Sequence, residues 1–408
     1  MLLGSGVIGG IGLGLGYISP VSTLIKWFPD RRGMATGMAI MGFGGGAMIG
    51  SPLATELMKT FASSTEVGVW QTFVVMGLLY TGVMLLGAFG YRIPVQGWQP
   101  QGWVAPVAEA SKAMITTQHV HVRKVWGIPQ FWLVWMVLTM NVSAGIGVIG
   151  MASPMLQEVF GGRLLGLNLS FAELDKSQLS AVASVAAGFT ALLSLFNIVG
   201  RFFWASLSDK WGRKMTYAVF FVLGGLLYAS VPTSAGMGSQ VLFVAAFCVI
   251  LSMYGGGFAT VPAFLADLFG TQMVGAIHGR LLTAWATAGI IGPVVVNYMR
   301  EYQLGLGMAR EQVYNQTMYI LAGMLLLGLI CNALIRPINP KHFMTPDELA
   351  KERQLAQERA TQAQDVHALA QTAQPTPLVW VWLAWLAVGL PLAWGVYRTL
   401  LSVGKFFQ

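Results

Sequence analysis

Ten stretches of about 20 residues, nearly free of Asp, Glu, Lys and Arg, follow one another along the chain. They fall near residues 2–25, 34–55, 69–91, 130–152, 180–205, 215–233, 240–264, 281–299, 316–335 and 378–400. At 1.5 Å per residue, a helix of about 20 residues matches a hydrocarbon core roughly 30 Å thick. Inside such a core every backbone N–H and C=O must be satisfied within the segment, which leaves helices as the available form. The predicted fold class is all-α: a polytopic membrane protein built as a helical bundle. Composition agrees, since only 10% of residues are charged, against roughly a quarter in soluble domains. The net charge of +8 does not call for nucleic acid, because the basic residues sit in short loops between apolar runs and read as topology signals. The expected partner is the lipid bilayer, and the chain is expected to be a monomer.

The first run starts at Met1 with no basic leading region and no small-residue cleavage site, so it reads as a helix rather than a signal peptide. Orientation follows from the loops. The side that holds 26–32 carries Lys26, Arg31, Arg32, Lys210, Arg213 and Lys214 and most other loop cations, whereas the opposite side carries the minority, among them Lys59, Arg163, Lys176 and Arg300. The excess of positive charge places the 26–32 loop in the cytoplasm. Residues 92–125, rich in Pro, Gly, Gln and Trp, read as a cytoplasmic linker between a bundle over 1–91 and a second over 126–336. A further polar segment, 337–376, contains Thr345, Pro346 and Glu348 in capping-box spacing and predicts a short cytoplasmic helix ahead of an additional span within 377–408.

Most motifs have plain explanations. Gly4-x-Gly6-x-x-Gly9 matches a dinucleotide fingerprint but lies in an apolar run, where Gly6/Gly10/Gly14 and Gly12/Gly16 predict close helix contacts instead. Gly42/Gly46/Gly50 read the same way. His119 and His121 are too few ligands for a metal and read as an exposed loop pair. Cys248 and Cys331 lie in apolar segments and make no disulfide framework. No nucleophile–base arrangement is visible, so neither an enzyme nor a cofactor is expected.

Two features carry more. In "SLSDKWGRK" Asp209 and Gly212 end one helix and Arg213 begins the next, giving a charged turn able to bridge helix ends in one of two states. Asp30, Arg31 and Arg32 form the corresponding turn near the start of the chain. Arg201 interrupts an otherwise charge-free run. It stands eight residues before Asp209, about 12 Å along the helix and so near mid-membrane. A charge there is expensive and marks a ligand site by default. Its fork of N–H donors suits a carboxylate, and every acidic residue lies in a loop or at a span end.

The stretches "GLGYISPVSTLIKWFPDRRGMATGMAIMGFGGGAMIG" (14–50), "GRFFWASLSDKWGRK" (200–214) and "YGGGFATVPAFLADLFGTQMVGAIHGRLLTAWATAGIIGP" (254–293) resemble the oxalate/formate antiporter branch of the major facilitator superfamily. The resemblance implies that the first span corresponds to the fourth of twelve helices, with three missing before it. It implies a secondary transporter of small carboxylates working by alternating access. In that family an arginine and a lysine hold the substrate, and aromatic side chains shape the cavity. Arg201 matches the arginine, while Trp285 stands where the lysine would be. One cation in place of two favours a monocarboxylate such as formate, lactate or pyruvate over oxalate. Tyr254, Phe258 and Tyr17 match the aromatic wall, with Trp285 opposite Arg201. Related proton-coupled carriers place an acid one turn before their arginine, where this chain has Asn197. Two other readings remain: a transport-incompetent fragment or scaffold, and a drug or sugar exporter of the same superfamily.

Overall fold

The computed structural model describes residues 2–63, 66–90, 92–94, 98–102, 114–364 and 377–404. Among the described residues, ten helical stretches are long and apolar enough to cross a membrane. They are built from α1 (Gly9–Trp27), α2 (Arg32–Phe61), α3 (Val69–Gly90), α4 (Pro129–Phe160), α5 (Lys176–Trp211), α6 (Arg213–Gly236), α7 (Gln240–Phe269), α8 (Val274–Leu281) with α9 (Thr283–Gly305), α10 (Asn315–Leu334) and α12 (Leu378–Gly404). The remaining helix, α11 (Pro346–Gln364), is polar.

Helix ends follow local chemistry. The Asp175 carboxylate caps α5 by accepting from the Gln178 N–H and from the Ser177 hydroxyl and N–H, which holds its pKa below the usual carboxylate range. Gly212, at φ 86°, ends α5 and turns the chain directly into α6, as the "DKWGRK" pattern predicts. The capping box at α11 also forms: Thr345 N–H donates to Glu348 and Glu348 N–H donates to the Thr345 hydroxyl. That bond, reinforced by Lys124, keeps the Glu348 carboxyl below its ordinary pKa.

One span departs from expectation. The charge-free run predicts a helix beginning near 281, but the helix starts at Val274 and is pinched at Leu282. The pattern misleads here because Arg280, which reads as a loop cation, lies inside the helix and donates to the Val122 carbonyl. The pinch has a local cause: the Thr283 hydroxyl donates to the Arg280 carbonyl and accepts from the Trp135 indole, competing with the helix's own bonds.

The glycine readings need a sharper correction. A Cβ placed on Gly6, Gly10, Gly12, Gly14, Gly16, Gly42 or Gly46 would meet nothing within 4 Å; of the predicted stripes only Gly50 is in close contact, against Tyr80. The close approach of α2 to α5 runs instead through Gly33, Gly37 and Gly44, which lie against Ala205, Arg201 and Ile198. Between α5 and α7 two glycines are equally tight, Gly255 against the Asn197 carbonyl and Gly200, where a Cβ would stand 2.2 Å from the Ser252 carbonyl oxygen. Both groups there are backbone and cannot rotate away. Gly200→Ala is therefore expected to cost about 1–3 kcal/mol of stability through overpacking; a thermal melt in detergent checks this, and an unchanged midpoint would contradict the close approach.

Charged contacts separate the two ends of the bundle. At one end Glu158, buried on α4, accepts from Arg300 of α9 and from the Tyr314 hydroxyl at 2.6 Å. At the other lie the turns after α1, α5 and α7, together with residues 118–127 and α11. His119 and His121 are not exposed as predicted: His121 lies 3.4 Å from Glu352 of α11, and His119 is half-buried, its pKa lowered by burial and then by Arg353 and Arg32. Helix α12 packs against α2 and α5, and Arg398 reaches Glu56 at 2.7 Å. Residues 95–97 and 103–113 of the predicted linker and 365–376 of the second polar segment lie outside the described residues. Cys248 and Cys331 are both buried and free.

Candidate functional site

Arg201 projects from the middle of α5 and is buried at 5% exposure. Its Nε donates to Asn197 Oδ1 at 3.1 Å, one turn earlier on the same helix, and its Nη1 donates to the Ile40 carbonyl of α2 at 2.9 Å. Room for the guanidinium comes from Gly44, where a Cβ would stand 3.2 Å from Nε. The Phe43 and Phe258 rings cover the guanidinium at 5.6 and 5.7 Å, close enough for cation–π attraction. No carboxylate among the described residues pairs with it, and Nη2 makes no hydrogen bond to them. A buried guanidinium aligned at two nitrogens, with donors still to spend, is prepared for an anion.

Around it the aromatic side chains form a continuous wall. Trp285 of α9 packs edge-on against Phe258 at 5.4 Å and against Phe43 at 6.0 Å. Tyr254, one turn before Phe258 on α7, meets it at 5.4 Å. Tyr17 of α1 meets Phe43 at 5.9 Å. Edge-to-face pairing of this kind fixes each ring by its neighbour's quadrupole. Asn197, Arg201, Tyr254, Phe258, Trp285 and Tyr17 are thus brought together, but not as an open cavity. Trp285 meets the guanidinium through Phe43 and Phe258 rather than facing it across a space.

Phe43 is the aromatic residue of this wall that sequence reasoning missed. Its signal was present, a lone aromatic in "GFGGG", but the surrounding glycines favour a packing interpretation. The Ile40 carbonyl carries no sequence signal at all.

The open volume lies elsewhere. A cleft of about 500 Å³ opens on the side of the 26–32 turn, lined by Ser22 and Lys26 of α1, His121–Arg123, Thr271–Ala276, and Glu352 and Leu355 of α11. Beside it stands a network of charges. Asp209 accepts from the Gly33 and Met34 N–H groups at the start of α2 and from Arg213 at 2.6 Å. Arg213 also reaches Asp267 at 3.1 Å, and Asp267 holds Arg32 at 3.0 Å. Arg32, Asp209 and Arg213 therefore act together, with Gly212 supplying the turn. Asp30 and Arg31 do not join them: they pair with each other at 3.4 Å on the surface. Neighbours in sequence reach each other more easily than a distant helix. Asp267 was missed because it closes an apolar run, where an acid reads as a span end.

Among the described residues, apolar helices surround one buried arginine that has no carboxylate partner, and ion pairs join helix ends on one side of the bundle. The sequence pattern of the Major Facilitator Superfamily matches residues 1–293 and again 166–407, and the chain belongs to that family of membrane transporters. Among its relatives, the oxalate:formate antiporter of Oxalobacter formigenes is 30% identical over 285 residues, 70% of this chain and 59% of the relative. The MFS-type transporter YhjX of Escherichia coli is 26% identical over 71% of this chain and 62% of the relative. The apicoplast pyruvate carrier 1 of Toxoplasma gondii is 26% identical over 67% and 55%. The chain spans about six-tenths of the length of these relatives.

Proposed function

We propose that this chain is a carboxylate transporter of the oxalate/formate antiporter type whose favoured substrate is a small monocarboxylate, with formate, lactate and pyruvate as the candidates. The observation that carries the reading is Arg201: a buried guanidinium with no acidic partner among the described residues, covered by Phe43 and Phe258, against which Trp285 packs. A carboxylate would take the donors left over on Nη1 and Nη2, and its small apolar remainder would lie against the rings. The names of two relatives, an oxalate:formate antiporter and a pyruvate carrier, support the substrate class. Trp285 supplies no second charge for a dianion.

Transport would follow from rocking of α1–α3 against the bundle of α4–α10 about a midplane site. The Asp209–Arg213–Asp267–Arg32 latch would hold the cytoplasmic side closed, and its release would open it. The membrane would be a bacterial inner membrane, with the 26–32 turn in the cytoplasm and 92–125 linking the two bundles.

The substrate preference has a direct test in Trp285→Lys. A second cation beside Arg201 is expected to raise inhibition of pyruvate uptake by oxalate at least tenfold relative to the parent, with formate competing less well. Competition assays in proteoliposomes read this. An unchanged oxalate-to-formate ratio would remove Trp285 from the site.

A further inference from the structure

The cleft of about 500 Å³ on the side of the 26–32 turn is lined by none of the residues around Arg201. Its volume suits a whole organic ligand rather than a formate or a pyruvate. Two of its lining side chains are cations with nothing to hold. Lys26 Nζ and the Arg123 guanidinium make no hydrogen bond or ion pair to any described residue, and Arg123 spends only its backbone N–H, on His121 Nδ1. Thr271 and Gln272 line the same cleft, and their side chains also have no partner among the described residues. Basic side chains around them are engaged by contrast: Lys124 with Glu348, Arg32 with Asp267, and Arg280 with the Val122 carbonyl.

The two cations come from different bundles. Lys26 lies in the last turn of α1, followed by Trp27, at the level where a span leaves the hydrocarbon for the headgroups. Arg123 belongs to the opposite wall, which is fixed without any ligand. There the Val120 N–H donates to the Phe269 carbonyl at 2.9 Å and the Val122 N–H to the Met273 sulfur at 3.3 Å. Gly270, at φ 78°, lets the turn after α7 lie against Gln118 and His119. α1 is held close to this wall, since a Cβ on Gly275 would be crowded by Ser22 at 3.2 Å. Donors fixed in this way lose little freedom on binding.

The charge of the cleft has one sign in excess. Glu352 of α11 is the acid among the described lining residues, and it lies 3.4 Å from His121 Nε2. Lys26 and Arg123 outweigh it, so the cleft attracts an anion.

We propose that this cleft binds a phosphate group, held between Lys26 of the first bundle and Arg123 of the second. A guanidinium fork matches two phosphate oxygens, an ammonium adds a point charge, and Thr271 and Gln272 add neutral donors. A monocarboxylate, with two oxygens and one charge, leaves most of this set unused. Two sources bring the group to this level: the headgroup of an anionic phospholipid in the cytoplasmic leaflet, and a soluble organic phosphate. From either source the bound group ties α1 to the turn between α7 and α8.

The inference stands apart from the carboxylate reading, and binding to the full chain tests it without any transport assay. Calorimetric titration in detergent with inorganic pyrophosphate represents the soluble source. Native mass spectrometry from nanodiscs of mixed phosphatidylcholine and phosphatidic acid represents the lipid. Either or both are expected to bind once per chain, pyrophosphate at least about tenfold more tightly than acetate, or phosphatidic acid retained at least about tenfold over phosphatidylcholine. Pyrophosphate alone would identify a soluble ligand, and phosphatidic acid alone a headgroup. K26Q and R123Q are each expected to weaken the bound probe about tenfold or more, since each removes one charged partner. Neither side chain holds another described residue, so both variants are expected to keep the parent's thermal midpoint without probe. E352Q is expected to tighten binding, because it removes the acid that repels the anion, and R201A to leave binding unchanged. Failure of both probes, equal affinity for acetate and pyrophosphate, or parental affinity in K26Q or R123Q would overturn the inference. So would weaker binding in E352Q, or loss of binding in R201A, which would put the probe at the carboxylate site.

Discussion

Replacing Arg201 with alanine is expected to weaken monocarboxylate binding by on the order of 100-fold or more. Each hydrogen bond to a charged group contributes about 1.5–3 kcal/mol, and two would be lost together. The expectation is sharper than for most buried arginines. No carboxylate among the described residues pairs with Arg201, so truncation strands no buried acid and leaves only Asn197 Oδ1 and the Ile40 carbonyl without a donor. The protein should therefore still fold, which size-exclusion chromatography can show beside calorimetric titration with pyruvate. Arg201→Lys keeps the charge but loses the planar fork that reaches Asn197, Ile40 and the ligand at once, and is expected to fall between parent and alanine variant. Equal affinity in all three would mean that the guanidinium serves packing alone.

The second large effect is expected at Asp267. Its carboxylate holds Arg32 at the start of α2 and Arg213 at the start of α6, and Arg213 in turn holds Asp209, which caps the first turn of α2. Breaking a buried pair by removing one partner costs about 3–5 kcal/mol, because the remaining charge is left uncompensated. If the latch forms in one conformation only, the whole cost shifts the equilibrium toward the other. Asp267→Asn is then expected to raise the population open on this side by a factor on the order of 100. A single cysteine in place of Ser22, which lines the cleft, reports the change through its labelling rate, since Cys248 and Cys331 are buried. An unaltered rate would show that the network is a static brace.

How far these features could be read in advance differs by kind. Span number and approximate bounds follow from charge-free runs because the bilayer imposes one length and one solvent on each helix. The Asp209–Gly212–Arg213 turn and the α11 capping box were legible because the residues that bond are close in sequence. Arg201 stood out since its cost depends on depth alone. By contrast, Gly33 and Gly37 rather than Gly42 and Gly46 form the α2–α5 contact, and nothing in the spacing distinguishes the two sets. Both have the four-residue interval, and only the position of α5 decides which face is covered. Phe43 and Asp267 were missed for the same reason. Each acquires its significance from a helix more than 150 residues away, as in the Phe43–Trp285 and Arg32–Asp267 contacts.

The central claim is that Arg201 and its aromatic wall carry a small monocarboxylate across the membrane. The most direct measurement is counterflow of radiolabelled pyruvate in proteoliposomes containing the full chain and preloaded with unlabelled pyruvate. The expected result is saturable uptake above protein-free vesicles, reduced by formate and lactate, unaffected by glucose and lost in Arg201→Ala. Counterflow no greater than in protein-free vesicles, or competed by glucose and retained without Arg201, would contradict it.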